Sequence, residues 1–318
     1  MTASKADVLV WGAMHPSLMT QLHRDYTVHL RTDISDVDSW AQAHGSKIKA
    51  IVTSGVYGTE VDILERLPNL QVVSSFGVGY DPIDTAYLAD RGIPVSNTPD
   101  VLNNAVAETA LALMLCLTRR ISEAERFVRA GAWTSGKFGL GRQLTGKTCG
   151  IVGLGKIGKT IAQRAAAFDM QIAYYRRGQA YSDVSYTHYN DLAELARVSD
   201  YLVLIVPGGA QTQHLVNREI LQALGKDSYL INVARGSVVD EQALIAALQA
   251  GEIAGAALDV FEDEPNVPQA LLGMDNVVLA PHIGSGTVET RQALADLVFA
   301  NLQQYFADGT LITPIGDA

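Results

Sequence analysis

The chain has 318 residues, of which 48% are hydrophobic and 18% charged, so it is long enough for about two globular domains. Its formal net charge of −10 argues against non-specific nucleic-acid binding, which requires a basic face. Two cysteines and no long apolar run argue against a disulfide framework, a metal site or a membrane partner. The N-terminal sequence lacks the apolar core of a signal peptide, and we therefore expect a cytoplasmic protein.

Short apolar runs alternate with helical stretches over the first hundred residues. The predicted strands are 7–11, 49–54, 70–75 and 94–97, and the predicted helices lie near 16–24, 37–44, 61–67 and 84–91. This alternation is typical of a small α/β domain with a parallel sheet. The third run continues into Gly77-Val78-Gly79, but Pro82 occupies the position of a third glycine. We therefore do not interpret this turn as a nucleotide site.

A long, largely buried helix is predicted over 101–120, where Ala and Leu predominate. It can carry the chain from one domain to the next. The polar stretch that follows, 122–143, is predicted to be irregular, and its length favours a functional or interface role. Cys116 and Cys149 lie in apolar runs and are predicted to be buried thiols.

A glycine-rich turn follows, Gly153-x-Gly155-x-x-Gly158, between an apolar β-type run and an Ala-rich helix, with a second β-type run at 171–175. Strand, glycine turn, helix and strand form the context in which this pattern binds a dinucleotide. The first glycine makes the tight turn, the second lets the pyrophosphate approach the backbone, and the third lets helix and strand pack closely. The helix N-terminus then holds the anion. We predict a dinucleotide site here; a tight turn without a ligand is the alternative.

The residues after the second β-type run bear on which dinucleotide is bound. Enzymes that use NAD place an acid about 20 residues after the glycine turn, on the ribose hydroxyls. Here Arg176 and Arg177 follow the run, and Asp169 lies before it. Guanidinium groups suit a 2′-phosphate because they are planar, always charged and able to bond an anion through two N–H groups. The sequence therefore predicts NADP(H) in preference to NAD(H); two solvated loop arginines are the alternative.

Further apolar runs at 200–207, 228–234, 254–260 and 277–281 are predicted strands of the same sheet. The last predicted helix, 288–305, is long enough to return to the first domain. We therefore expect a discontinuous substrate (catalytic) domain, 1–100 with 287–318, and a dinucleotide-binding domain, 101–286.

Polar side chains follow three of these strands, at the edge where ligands bind in open α/β sheets. They are Arg235, the acids Glu262, Asp263 and Glu264, and His282. An arginine can bind a substrate carboxylate and polarise a carbonyl, and a histidine can protonate the carbonyl oxygen. A carboxylate beside the histidine favours the imidazolium. This combination predicts the reduction of a 2-oxo acid, and the spacing alone does not decide which of the three acids is involved.

Five segments in order, 77–81, 153–158, 232–236, 259–265 and 281–285, resemble those of the D-2-hydroxyacid dehydrogenase family over nearly the whole chain. The resemblance implies an α/β fold with two Rossmann-like domains, parallel sheets and an active site in the interdomain cleft. Within the family, Tyr174-Tyr175-Arg176-Arg177 is similar to glyoxylate/hydroxypyruvate reductases and the related 2-ketogluconate reductases. Those enzymes prefer NADPH and work mainly in the reducing direction.

The resemblance also implies roles for individual residues. Arg235 is expected to bind the substrate, Glu264 to pair with the proton donor His282, and the amides of Val78 and Gly79 to hold the substrate carboxylate. The expected lining of the substrate pocket is Ser54, Gly55, Val56, Tyr57 and Leu102. The expected cofactor contacts, besides the two arginines, are Thr109, Leu154, Gly155, Lys156, Ile157, Val206, Pro207, Thr212, Val233, Ala234, Asp259, His282 and Gly284. The family pattern further implies a homodimer through the cofactor domains, with 122–143 as an interface arm.

Two alternatives and one departure from the family pattern stay open. Gly208-Gly209 stands where many relatives have Leu-Thr, so the shape of that loop is not predicted. One alternative function is the NAD-dependent oxidation of a D-hydroxy acid, as in phosphoglycerate dehydrogenases. The other is a dinucleotide-sensing binding protein similar to transcriptional corepressors, because a fold does not by itself decide a function. The motifs do not predict which 2-oxo acid is the substrate.

Overall fold

A computed structural model describes residues 5–316 of the chain. Within them the chain forms two compact units. The first unit runs to Leu102 and resumes at Thr287, and the second unit spans Asn103–Gly286.

The first unit contains a sheet of five parallel strands in the order β2-β1-β3-β4-β5. The strands are β1 Asp7–Val10, β2 Thr27–Leu30, β3 Ile48–Ser54, β4 Val72–Phe76 and β5 Val95–Ser96. The helices between them are α1 Pro16–Asp25, α2 Val37–His44, α3 Val61–Leu64 and α4 Thr85–Asp90. β4 is buried at every residue and only Lys49 of β3 is not, as expected where helices cover both faces of a parallel sheet.

The second unit contains a sheet of seven parallel strands in the order β12-β11-β10-β9-β6-β7-β8. The strands are β6 Thr148–Val152, β7 Gln171–Tyr175, β8 Thr187–Tyr189, β9 Tyr201–Leu204, β10 Tyr229–Asn232, β11 Gly255–Leu258 and β12 Val277–Leu279. The helices are α5 Asn103–Thr118, α6 Ile121–Arg129, α7 Lys156–Ala166, α8 Leu192–Val198, α9 Arg218–Leu224, α10 Glu241–Ala250 and α11 Gln269–Leu272. The chain winds outward from β6 to β8, then returns to β9 and winds the other way. The reversal between β6 and β9 is the point where such sheets bind ligands.

The last helix, α12 Val288–Asp308, packs in the first unit against α1 and β4. After it, the N–H of Ile315 donates to the carbonyl of Val95, so the C-terminal segment is bonded to β5. The predicted α/β fold with two parallel sheets is therefore confirmed.

Three local predictions differ from the structure. The edge strands β2 and β8 were not predicted, and the stretch 122–143, predicted to be irregular, contains most of α6 and a short 3-10 turn at Ala132–Thr134. Cys149 is fully buried, but Cys116 is partly exposed and its Sγ lies 3.0 Å from the Ser122 hydroxyl.

No helix within residues 5–316 is both long and apolar enough to cross a membrane.

Candidate active site and cofactor site

The glycine turn between β6 and α7 has the geometry that its spacing predicts. Gly153 has a φ of +99°, which other residues rarely adopt. A β-carbon on Gly158 would lie 2.1 Å from the carbonyl oxygen of Gly153, so helix and turn can pack this closely only around a glycine. A β-carbon on Gly155 would meet nothing within 4 Å. Gly155 therefore borders open space at the start of α7, where no side chain caps the helix. These features fit a pyrophosphate at the helix N-terminus.

Arg176 and Arg177 follow β7 directly, and both are exposed. The Arg176 guanidinium lies 4.0 Å from the centre of the Tyr181 ring and donates to the Gln179 carbonyl at 3.3 Å. The Arg177 guanidinium donates to the Tyr175 hydroxyl at 3.4 Å and to the Gln211 carbonyl at 3.3 Å. Among residues 5–316, neither arginine forms an ion pair with a carboxylate. Two cations without an acidic partner at this sheet edge fit a phosphate group.

The other predicted cofactor contacts are distributed over the same edge of the second unit. Val206 and Pro207 follow β9, and the Thr212 hydroxyl donates to the Pro207 carbonyl at 2.7 Å, which closes the Gly208-Gly209 loop. Val233 and Ala234 are buried directly after β10. The Thr109 hydroxyl lies at the limit of hydrogen-bond distance, 3.5 Å, from the Gly284 carbonyl. Thr109 lies on α5, Lys156 and Ile157 are the first residues of α7, and the other residues lie on the loops after the strands.

His282 and Glu264 are in direct contact. The Nδ1 of His282 lies 2.7 Å from Oε2 of Glu264, and the other carboxylate oxygen accepts from the N–H of Phe261 at 3.1 Å. Burial raises the pKa of Glu264, but the hydrogen bond and charge of His282, the Phe261 amide and the charge of Arg235 outweigh it, so the pKa lies below its usual value. Glu264 is therefore ionised at neutral pH and holds the imidazole in one orientation.

The other two acids of this segment do not contact His282. Glu262 pairs with His214, whose Nε2 lies 2.8 Å from its Oε1. The backbone carbonyl of Asp263 accepts the N–H of Asn266 at 2.6 Å. The structure thus shows which of the three neighbouring acids pairs with His282, which their spacing in the sequence does not decide.

Asp259 fixes the backbone on which His282 lies. Its carboxylate is 2% exposed and accepts the N–H groups of Ile283 and Gly284, each at 2.7 Å. Its carbonyl accepts the N–H of His282 at 2.9 Å, and His282 has a φ of +51°. Burial raises the pKa of Asp259, although the two amides act in the opposite direction. Asp259 was predicted as a cofactor contact. Its hydrogen bonds to the backbone of residues 282–284 show that it stabilises the conformation of this loop.

Arg235 lies on a turn that two residues hold in place. The buried Asn232 side chain donates to the Arg235 carbonyl at 2.9 Å and accepts the Ala234 N–H at 3.0 Å. A β-carbon on Gly236 would lie 1.9 Å from the backbone of Phe261. The turn after β10 therefore packs directly on the segment that leads to Glu264. Asn232 and Gly236 were not predicted as site residues, although both belong to the motif at 232–236.

The loop after β4 in the first unit presents backbone donors. Gly77 has a φ of +122°, its N–H donates to the Thr98 hydroxyl at 2.9 Å, and the Asn97 side chain donates to the Val78 carbonyl at 2.8 Å. These bonds fix the loop, while the N–H groups of Val78 and Gly79 donate to no acceptor within residues 5–316. Consecutive unused amides can form an anion-binding concavity.

Ser54 and Leu102, predicted to line the substrate pocket, are both largely buried in the first unit. The Ser54 hydroxyl accepts the N–H groups of Val56 and Tyr57 at 3.3 and 3.4 Å, so it shapes the turn after β3. The side chains of Val56 and Tyr57 are exposed at 67% and 46%, which leaves them free to contact a ligand. Within residues 5–316, no three His, Cys, Asp or Glu side chains are grouped as metal ligands.

Comparisons with known proteins identify the family of the chain. Residues 111–284 match the family model for the D-isomer specific 2-hydroxyacid dehydrogenase, NAD binding domain. The chain is 49% identical to glyoxylate/hydroxypyruvate reductase A of Arabidopsis thaliana over 274 residues, 86% of this chain and 87% of the relative. It is 43% identical to the 2-ketogluconate reductase of Gluconobacter oxydans (strain 621H) over 313 residues, 98% and 99% of the two chains.

A solved structure is similar over nearly the whole chain. It is the NADPH-dependent glyoxylate/hydroxypyruvate reductase of Sinorhizobium meliloti in complex with NADP and malonate, with a TM-score of 0.92 and 43% identity over 98% of this chain and 97% of that one. The chain belongs to the D-isomer specific 2-hydroxyacid dehydrogenase family of oxidoreductases, which carry a nicotinamide-dinucleotide-binding domain.

Proposed function

We propose that this protein reduces a small 2-oxo acid to the D-2-hydroxy acid with NADPH, and that His282 is the proton donor. The observation that carries the proposal is the 2.7 Å contact between His282 and Glu264 at the ligand-binding edge of a dinucleotide-binding sheet. The related proteins named as glyoxylate/hydroxypyruvate reductase and 2-ketogluconate reductase support the same class of substrate.

The cofactor is assigned to the edge of the second unit. The start of α7 at Gly155 would hold the pyrophosphate, and Arg176 with Arg177 would hold the 2′-phosphate. NADPH, when bound, supplies a hydride to the carbonyl carbon of the substrate. The preference for NADPH follows from the two arginines and the absence of an acid at this position. The similar Sinorhizobium meliloti protein was solved with NADP, which supports it.

His282 can act as the proton donor because of how Glu264 holds it. Nδ1 faces the carboxylate, which leaves Nε2–H to donate to the substrate carbonyl oxygen. The ionised Glu264 keeps the ring oriented for this transfer through its bond to Nδ1. General acid catalysis of this kind contributes roughly 10² to 10⁴-fold.

The substrate carboxylate is assigned to Arg235, whose guanidinium can bond it through two N–H groups and polarise the adjacent carbonyl. The unused amides of Val78 and Gly79 are a further proposed anion site, on the first unit. Each of these proposed contacts is made to the carboxylate or the carbonyl group, which every 2-oxo acid has. Glyoxylate, hydroxypyruvate and 2-ketogluconate are therefore the first substrates to test.

The test is a set of initial rates with NADPH and NADH against glyoxylate, hydroxypyruvate, 2-ketogluconate and phenylpyruvate, followed by absorbance at 340 nm. We expect kcat/KM to favour NADPH in the wild type and to lose that preference in an Arg176→Ala/Arg177→Ala double variant. A wild-type preference for NADH would contradict the assignment of the arginines and favour an oxidative role. Tight dinucleotide binding without turnover on any substrate would favour a sensing function.

We also propose a homodimer in which 122–143 takes part. This segment exposes large apolar side chains, with Val128 at 54%, Trp133 at 70% and Leu140 at 95% exposure. Such a group on one segment is typical of an interface. Light scattering after size-exclusion chromatography should give twice the mass of one chain, and a Trp133→Glu/Leu140→Glu variant should give the mass of one. A wild-type monomer would contradict the proposal.

A further inference from the structure

The loop between β7 and β8 carries an aromatic ring directly against the Arg176 guanidinium. The distance from the guanidinium carbon to the centre of the Tyr181 ring is 4.0 Å. Contact over the ring face occupies the flat side of a guanidinium and leaves its N–H edge for hydrogen bonds. One edge nitrogen donates to Gln179 at 3.3 Å. The contact thus restricts the orientation of Arg176 without using most of its donors.

Tyr181 is itself fixed to the core of the second unit. Its backbone N–H donates to the hydroxyl of Tyr174 at 2.8 Å, and the two rings are 5.9 Å apart. Tyr174 belongs to β7 and is fully buried. The Tyr181 hydroxyl, by contrast, forms no hydrogen bond with any residue between 5 and 316. The described contacts therefore involve the ring and the backbone, and the phenolic oxygen has no structural partner among them.

The backbone of Arg176 is fixed as well. Its N–H donates to the Tyr189 carbonyl at 3.2 Å, and its carbonyl accepts from Nε2 of His188 at 2.9 Å, so β8 holds it on both sides. With the backbone fixed, the position of the guanidinium depends on the contacts of the side chain, which are those with the Tyr181 ring and the Gln179 carbonyl.

A second cation near the ring is neutralised, and Arg176 is not. Lys159 of α7 lies 4.7 Å from the centre of the Tyr181 ring, but its Nζ also pairs with Asp183 at 2.5 Å. This hydrogen bond lowers the pKa of Asp183, which is therefore ionised at neutral pH and compensates the lysine. Of the two cations beside the Tyr181 ring, Lys159 forms an ion pair with a carboxylate. Arg176 forms no such pair within residues 5–316, so its charge is not compensated and can attract an anionic ligand.

We propose that Tyr181 is a positioning residue for coenzyme selectivity: its ring holds the Arg176 guanidinium in the orientation that binds the cofactor's 2′-phosphate. The proposal rests on the proposed use of NADPH. It assigns the selectivity to an arginine together with the aromatic ring five residues later, so an arginine alone at this position would discriminate less well.

The experiment measures binding and kinetics in Tyr181→Leu and Tyr181→Phe. The Kd of 2′,5′-ADP and of 5′-AMP is determined by calorimetry, and kcat and KM are determined with NADPH and NADH. A cation–π contact at an exposed site corresponds to roughly a two- to fivefold change in affinity. We expect Tyr181→Leu to raise the Kd of 2′,5′-ADP and the KM of NADPH by this factor, with kcat and the values for 5′-AMP and NADH unchanged. Tyr181→Phe keeps the ring and should behave as the wild type.

Tyr87→Leu is the matched control. Tyr87 is a half-buried tyrosine of α4 in the first unit, and Arg91 lies 5.7 Å from the centre of its ring. Loss of this tyrosine–arginine contact should leave the Kd of 2′,5′-ADP unchanged. Thermal unfolding establishes that each variant is folded, and Tyr181→Met, which keeps bulk without a π face, replaces Tyr181→Leu should that variant unfold.

An equal loss of 2′,5′-ADP and 5′-AMP binding in Tyr181→Leu, or no loss of either, would overturn the proposal. So would a Tyr181→Phe variant as weak as Tyr181→Leu, because the hydroxyl would then be the group responsible. The Arg176→Ala/Arg177→Ala variant separates this outcome from a failure of the proposed function. If the double variant binds 2′,5′-ADP more weakly and Tyr181→Leu binds it normally, the proposed role of Tyr181 is rejected and the use of NADPH is not. Normal 2′,5′-ADP binding in the double variant rejects the use of NADPH itself.

Discussion

A β-carbon at Gly155 tests the cofactor site without disturbing the fold. The residue has a φ of −73° and a ψ of −163°, an extended conformation that alanine adopts without strain. The added carbon would meet nothing within 4 Å. We therefore expect the free energy of unfolding of Gly155→Ala to stay within about 0.5 kcal/mol of the wild type. In the bound state, the same carbon would lie where the pyrophosphate approaches the backbone.

The expected loss of affinity follows from the hydrogen bonds involved. A hydrogen bond to a charged group contributes about 1.5–3 kcal/mol, so losing one raises the Kd of NADPH roughly ten- to hundredfold. Calorimetry gives the Kd, and urea unfolding gives the stability of the same preparation. A Gly155→Ala variant that binds NADPH as tightly as the wild type would refute the reasoning.

Gly158→Ala is the contrasting variant. Here the added carbon would lie 2.1 Å from the Gly153 carbonyl oxygen, so helix and turn must separate. Overpacking of this kind costs about 1–3 kcal/mol of stability. We expect the unfolding free energy to fall in Gly158→Ala and not in Gly155→Ala. Equal destabilisation of the two variants would show that the space beside Gly155 is not open.

Two further substitutions and one labelling experiment test the site and the core. Glu264→Gln should lower kcat, as initial rates can show, because His282 loses the carboxylate that holds its Nδ1. Since the pKa of Glu264 is lowered in the fold, its contribution to stability is complete above its unfolded pKa of roughly 4.3 and is lost as the pH falls through the lower folded value. Urea unfolding should therefore show a smaller wild-type advantage over Glu264→Gln at pH 3 than at pH 7. Gly236→Ala, whose β-carbon would lie 1.9 Å from the Phe261 backbone, should lower stability by about 1–3 kcal/mol and reduce kcat/KM as well, while normal turnover would contradict the proposed packing of the Arg235 turn. Burial raises the pKa of the Cys149 thiol to about 12, so iodoacetamide at pH 8 should not label it in the folded protein, as mass spectrometry can show.

The parallel strands that lie in the middle of each sheet were predictable from the sequence because helices cover both their faces. β9, for example, is a continuous apolar run, and β3 carries the apolar segment Ala50-Ile51-Val52 at its centre. The edge strands β2 and β8 have four and three residues, are partly exposed and give no such signal. The helix α6 was not predicted, although Ile121, Ala124 and Val128 recur at the spacing of one helix face.

The site was predictable in its residue types and less so in its contacts. The sequence places Arg235 and His282 after strands, but three acids of one segment compete as the partner of His282. Only the folded chain shows that Glu264 lies 2.7 Å from His282. The stacking of Arg176 on Tyr181 depends on the path of an irregular loop, which has no periodic pattern in the sequence.

The central claim is that the protein reduces a 2-oxo acid and that His282 supplies the proton. The most direct measurement is the rate of NADPH oxidation with saturating hydroxypyruvate, compared between the wild type and His282→Ala. We expect a readily measurable wild-type rate and a kcat reduced roughly 10² to 10⁴-fold in the variant. A His282→Ala variant with the wild-type kcat would contradict the account.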